Sequence, residues 1–350
     1  MRKENKTLLK RILAAMLSVT LMSGAAVMTP IADFVGTNIT ASAAYDGYTE
    51  WTDTGIDADG NEAQVTCYWK IENNTLYIKG TIPNTKKGAS STGWYKSRTS
   101  IHSICVEKDG GKKSRTSAKV DGLFAYCNQA TSMDLSNLDT SAATSMAVMF
   151  NECMVLKSLV LSNDWKTDKV TDMSQMFRRN YALTSLDLSS WNTSKVTKMK
   201  EMFSQCSELK MLDLRGWDTH AVTDMSGMFG YCGKLETIYV DSNWNTDAVT
   251  KSNLMFSDCS SLVGSKKTSY HDDNPKNVTY GHIDGGEENP GYLSVKSYTV
   301  TWLNEDGAEL GTTDVLYGET PVYDGNLPAF KKADGVKYVL TGWKDENDDV

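Results

Sequence analysis

One phrase keeps returning in this chain: "VTDMSQMF" at 170–177, "VTKMKEMF" at 196–203 and "VTDMSGMF" at 222–229. The apolar pair that closes it stands at Leu123-Phe124, Met149-Phe150, Met176-Phe177, Met202-Phe203, Met228-Phe229 and Met255-Phe256, in steps of 26, 27, 26, 26 and 27 residues. A period in the twenties marks a solenoid, whose units bury their apolar face only by stacking on one another. A catalytic motif is normally stated once, so the repetition is architectural.

Within a unit the register is tight. Three residues after the Phe comes Cys127, Cys153, Cys206, Cys232 or Cys259, with Asn180 in that place once. An L-x-x-L-x-L string follows: Leu156/Leu159/Leu161, Leu183/Leu186/Leu188, Leu209/Leu212/Leu214 and Leu235/Ile238/Val240. Its alternating end predicts a short strand with one buried face. A large apolar residue comes next, Leu138, Trp165, Trp191, Trp217 or Trp244, always 11 residues before the Met of the next pair. The extra residue of the longer units therefore falls in the turns "SNDW" and "DSNW", where loops absorb length. In V-x-x-M-x-x-M-F the apolar positions i, i+3, i+6 and i+7 place Val170, Met173, Met176 and Phe177 on one face of an expected short helix. The fold class this predicts is an α/β solenoid, with one short strand and one short helix per unit of 26–27 residues.

These units resemble the leucine-rich repeats of the BspA-like bacterial surface proteins, in the variant built on C-S-x-L-x-x-L-D-L-S-x-W-x-T-x-x-V-T-x-M-x-x-M-F. "CSELKMLDLRGWDTHAVTDMSGMF" at 206–229 and "LTSLDLSSWNTSKVTKMKEMF" at 183–203 carry the likeness, which is strong over 121–263. Upstream, "VTCYWKIENNTLYIKGTIP" and "GWYKSRTSIHSICVEK" are similar to the β-rich segment that precedes such repeats, so 44–120 is expected to cap the array. Asn180 for Cys and Ser252 for Met depart from the pattern. After Leu262 the strand gives way to "GSKKTSYHDDNPKN", and "HIDGGEENPGYLSV" within 264–296 looks like the family's closing segment. From 297 to 350, Tyr298, Val300 and Trp302 alternate with Thr, and "LYGETP" and "YVLTGW" resemble a Listeria–Bacteroides repeat, a small β-grasp-like module. Families with that module continue past the G-W, so the chain is expected to extend beyond Val350.

The amino terminus reads differently. Arg2, Lys3, Lys6, Lys10 and Arg11 precede an apolar run from Ile12 to Met28, and "ASA" at 41–43 supplies small residues for cleavage. Residues 1–43 are therefore expected to be a secretory signal peptide, the rival reading being an uncleaved anchor helix, which the run is barely long enough to make. The first Cys is Cys67, so a lipid anchor at the cleavage site has no attachment point. The remaining chain carries 31 Lys+Arg against 42 Asp+Glu, a net charge of −11. Such acidity offers nucleic acid no electrostatic footprint and is repelled by anionic membranes, so no nucleic-acid partner and no membrane insertion after cleavage are expected.

Chemistry is sparse. The ladder cysteines stack in parallel, whereas a disulfide needs Cβ atoms about 3.5–4.5 Å apart and turned together. Buried free thiols are expected there, and the pairing of Cys67 with Cys105 is left open. His102, His220, His271 and His282 show no zinc-ligand spacing. "DADGNE" at 57–62 echoes a calcium loop, but Tyr68 stands where its last ligand, a Glu, belongs, so a plain turn is expected. No nucleophile elbow, zincin motif or phosphate loop is present. The reading is non-enzymatic and implies no cofactor and no metal.

What remains is the outward face of the strands. Asp134, Val160, Asp187, Asp213 and Tyr239 should form one row, with Ser132, Ser158, Ser185, Met211 and Thr237 beside them. Such faces are where solenoids bind partners. Asp187 and Asp213 are expected to be like-charged neighbours that a cationic ligand would relieve. The Cys/Asn column and Trp165, Trp191, Trp217 and Trp244 are read as structural. By resemblance, the partner of this secreted or surface-bound protein is a protein or cell-surface macromolecule. Two rival readings are a non-catalytic targeting or scaffold part of a polysaccharide-degrading system and a structural cell-wall coat; no L-P-x-T-G sorting motif is present.

Overall fold

The computed structural model describes residues 45–162, 165–303, 308–316 and 320–322. The signal-peptide segment and "YVLTGW" lie outside them. The chain divides after Glu50. Of the first unit only a turn, closed by Tyr48 N–H to Tyr45 O at 3.0 Å, and the start of the first strand are described.

The first four strands are β1 (Thr49–Ile56), β2 (Glu62–Glu72), β3 (Thr75–Ile82) and β4 (Lys86–Ala89). Asn73 and Asn74, at φ 48° and 60°, make the tight hairpin turn between β2 and β3. Two consecutive left-handed residues match the right-handed twist of the strands they join, and Asn tolerates that conformation well. Next come β5 (Ser103–Val106), β6 (Ser114–Thr116), β7 (Ser132–Leu135), β8 (Leu138–Asp139) and β9 (Ser158–Leu161). β3, β5, β7 and β9 pair in parallel, so the cap's sheet runs without a break into the repeats. β10 (Met211–Asp213) and β11 (Thr237–Tyr239) form a second parallel pair.

Two sequence expectations need correction here. The first is the helix in each unit. Among the described residues, helix is confined to two short 3-10 turns, Tyr95–Ser100 and Val278–Tyr280. The V-T-x-M-x-x-M-F segments are instead chains of turns. Gln175 and Arg179 flank Met176-Phe177 at φ 57° and 60°, and Glu201 and Gln205 do the same one unit on, at 52° and 63°. A left-handed residue ends an α-helix, and each costs a non-glycine residue on the order of 1–2 kcal/mol. Bonds between units offset that cost. Gln175, Phe177 and Arg179 donate their N–H groups to Lys200, Met202 and Ser204 carbonyls of the next unit at 2.7, 2.9 and 2.9 Å. The N–H groups between them close local turns, as from Met176 to Met173 O at 3.3 Å. Turns of this kind bring every third residue inward, which mimics the helical spacing of the apolar positions.

The second correction concerns strand continuity. Residues 183–188 form no strand, so the ladder breaks between β9 and β10. The break is tolerated because adjoining units are also joined elsewhere. Thr197 bonds the carbonyl of Thr171 through both its N–H and its hydroxyl, at 2.9 and 3.1 Å. Buried Thr167, two residues after Trp165, donates its hydroxyl to Asn192 O and accepts from Asn192 N–H, both at 2.8 Å.

The interior is a set of columns. Phe124, Phe150, Phe177, Phe203, Phe229 and Phe256 stack with ring centroids 5.8, 5.3, 5.8, 6.0 and 5.6 Å apart. All six are fully buried, each contributing about 1.5–3 kcal/mol from burial alone. Trp165, Trp191 and Trp217 stack beside them at 6.4 and 6.1 Å. Trp244 departs from its column: it is only partly buried and donates its Nε1–H to Gly281 O at 2.8 Å. Trp94 covers the first Phe at 6.4 Å, and Tyr292 meets the last edge-on at 5.3 Å. Both ends of the aromatic column are thus closed.

The closing segment is tied by one carboxylate. Buried Asp284 accepts from the Lys266 and Thr268 N–H groups at 2.7 and 3.0 Å, from the Thr268 hydroxyl at 2.7 Å and from Gly286 N–H at 2.9 Å. "GYLSV" then adds a rung to β11, with Ser294 N–H bonding Ile238 O at 2.8 Å and Val240 N–H bonding Ser294 O at 2.9 Å. Beyond it, β12 (Ser297–Leu303) and β13 (Glu309–Leu316) form an antiparallel pair over buried Trp302.

Candidate binding surface

The predicted outward row is partly assembled. Parallel register places Asp134 beside Val160, and Ser132 beside Ser158. Further along, Met211 lies beside Thr237, and Asp213 beside Tyr239. Ser185 and Asp187 are exposed, on the stretch that joins neither ladder. The row also reaches into the cap, where Tyr77, Cys105 and Asp134 are consecutive partners. The alternation in "TLYIKG" and "SICV" carries that signal, which sequence reasoning used only to place a β-rich segment.

Exposure varies along the face. Val160 and Met211 keep 48% and 51% of their surface, large values for apolar residues on a strand. Asp134, Ser158, Ser185 and Asp187 are exposed, whereas Ser132, Asp213, Thr237 and Tyr239 are half-buried.

The expected acidic pair does not stand as an unrelieved repulsion. Burial raises the Asp213 carboxyl, but bonds from Arg215 outweigh it and hold the group below the usual carboxylate range. Arg215 Nε lies 2.7 Å from Asp213 Oδ1. Lys296 adds a second positive charge, with its Nζ 6.0 Å from the Tyr239 ring and 5.4 Å from the Tyr298 ring. The Asp187 carboxyl is also lowered, chiefly by the Ser189 hydroxyl at 2.7 Å, with the charge of Asp213 as the smallest, opposing influence. The correction is electrostatic: Arg215 is adjacent to Asp213 on its own turn and supplies the cation the sequence reading assigned to a ligand.

The Cys/Asn column is a donor column. Cys153, Cys206, Cys232 and Cys259 each point Sγ at a Phe carbonyl of the preceding unit, at 3.2, 3.1, 3.1 and 3.1 Å. Asn180 makes the same bond through Nδ2 to Phe150 O at 2.9 Å, and a second to Phe177 O at 2.7 Å. Burial pushes the Cys127 and Cys232 thiols up to about 12, and raises those of Cys153, Cys206 and Cys259 well above the usual thiol range. Cys67 and Cys105 are also free, so the open pairing resolves to two thiols. Cys105 is the least buried of the seven, its thiol raised by burial and by the nearby Asp134 and Glu107 charges.

Among the described residues, no group of three or more His, Cys, Asp or Glu side chains is arranged to hold a metal ion. In the loop at Asp57, the carboxylate accepts from the Asp59 and Asn61 N–H groups at 3.0 and 2.9 Å, as in an ordinary Asx turn. No described helix is long and apolar enough to cross a membrane.

Comparison with known proteins names no activity. A family described as Mycoplasma protein of unknown function, DUF285, matches at residues 118–234 and 205–280. A crystal structure of a leucine-rich repeat protein from Eubacterium ventriosum aligns with 55% of this chain at 19% identity and a TM-score of 0.32. The match spans 45% of that protein's length. No curated protein sequence matches the chain.

Proposed function

We propose that this chain is an exported, non-enzymatic bacterial surface protein whose solenoid binds another macromolecule through the outward face of its strands. The observation that carries the reading is two half-exposed apolar side chains, Val160 on β9 and Met211 on β10, on strands either side of the stretch that bears exposed Asp187, with exposed Asp134 and Ser158 on the β7–β9 ladder. Apolar side chains ringed by polar ones on a rigid support are what a protein interface uses as anchors. The charged-then-apolar composition of residues 1–43 supports export. The repeat likeness drawn from the sequence supports a surface role, with no cofactor.

The test is a binding panel with the full chain against matrix proteins, mucins and plant polysaccharides. The comparison variant carries Asp134→Ala, Val160→Ser and Met211→Ser, all at exposed positions. Asp213 is left alone because it is paired with Arg215. Binding that falls at least tenfold in a variant with unchanged melting supports the strand face. Binding that persists unchanged removes it.

A further inference from the structure

A second feature lies on the turn-bearing face, away from the outward strand row. The residue before each Met-Phe pair is left-handed: Val148, Gln175, Glu201, Gly227 and Leu254, at φ 53°, 57°, 52°, 62° and 60°. Glycine is the natural occupant of that conformation, yet four of these five units place a side chain there. Where Gly227 omits it, a groove of about 400 Å³ opens. A Cβ at Gly227 would lie 3.0 Å from Glu201 Cγ.

The walls have a specific chemistry. Tyr231 and Leu254 present exposed apolar surface, 47% and 52%. Arg178, Lys200 and Lys251 supply cations, against the carboxylates of Glu201 and Asp224. Several polar groups are already oriented. Glu201 is held by Arg178 Nε at 2.7 Å and Gln175 Nε2 at 2.9 Å. The Tyr181 hydroxyl bonds Gln205 Oε1 at 3.3 Å, and the Ser226 hydroxyl bonds Asn253 Oδ1 at 3.0 Å.

We propose that this groove binds a short saccharide. Each sugar hydroxyl both donates and accepts, which suits a wall that mixes carboxylates, amides and ammonium groups. A ring's C–H face has Tyr231 to pack on. The three cations and two carboxylates leave no single sign of charge to select an ion, and an apolar ligand leaves the polar wall unpaired, at a cost of about 1–3 kcal/mol per buried group. The volume sits at the small end of the roughly 300–1,000 Å³ range of small-ligand clefts. The proposal does not depend on the strand-face reading.

The experiment is calorimetric titration of the full chain with cellotetraose, mannotetraose, tri-N-acetylchitotriose, trigalacturonic acid and, separately, a peptide of alternating Asp and Ser. The decisive variant is Gly227→Gln, which copies Gln175 of the same left-handed column and fills the groove. Exposed Tyr231→Ala is the second variant, and decides if the first fails to fold. At least one saccharide binds, Gly227→Gln abolishes the binding and Tyr231→Ala weakens it about tenfold or more, while the strand-face variant leaves it intact. The proposal is overturned if no saccharide binds, if both groove variants bind as wild type, or if the peptide alone binds.

Discussion

Asn180 shows how far one side chain can be understood from its column. Its Nδ2 replaces the thiol donor, but its Oδ1 is buried with no hydrogen-bond partner among the described residues. A buried unsatisfied acceptor costs about 1–3 kcal/mol, and a typical hydrogen bond contributes about 0.5–1.5 kcal/mol. Asn180→Ala removes both amide bonds and leaves a void, so it is expected to destabilise by about 2–3 kcal/mol. Asn180→Cys is expected to recover most of that loss by restoring the thiol bond to Phe150 O without the orphan oxygen. Urea denaturation of the three proteins checks the order. The sequence shows the column and its burial, but the bond lies in the exchange of Cys for Asn, two small side chains that both donate. The buried threonines after Trp165, Trp191 and Trp217 went unread for a related reason: W-x-T has no periodic partner within its own unit, and its bonds run to the next.

Elements behave differently from residues, because the same spacing can serve two backbones. Val170, Met173, Met176 and Phe177 face inward as expected, yet by successive turns rather than a helix. Periodicity reports which side chains are buried and is nearly blind to where the N–H groups go. Here they go to the next unit, so the deciding information is about 26 residues away and outside any local window. The closing segment was legible as an ending, but its organiser, Asp284, was not. Burial alone raises that carboxyl; hydrogen bonds from Thr268, Gly286 and Lys266 outweigh it and hold it at about 2. An unfolded aspartate titrates near 3.9, so the folded value is depressed and the proton favours the unfolded chain. The stabilisation is complete above about pH 4 and is lost as pH falls through about 2, an effect of about 2–3 kcal/mol. Asp284→Asn is expected to melt lower than wild type at pH 7, with the gap closing toward pH 2. Thermal melts across that range measure it.

At the largest scale described, the repeat array is a column of units with an aromatic plug at each end, Trp94 below Phe124 and Tyr292 above Phe256. In such a stack each unit depends on its neighbours, so stability is greatest in the middle and the ends open first. Amide exchange should be slowest around Phe177 and Phe203, and Trp94→Ala should accelerate it mainly near Phe124 and Phe150. Uniform acceleration along the array would show that it unfolds as one block. Far-ultraviolet circular dichroism should lack the strong helical band that a helix per unit would give. The unit-to-unit bonds of the turn segments have a mechanical meaning as well. Tension applied at the two ends strips one unit at a time from the stack, because the described backbone rungs of the turn segments join neighbouring units. A unit of 26 residues releases roughly 90 Å of extended chain. Pulled in a force spectrometer, the solenoid should therefore pay out in a sawtooth of near-equal steps, behaving as a ratcheted extensible tether.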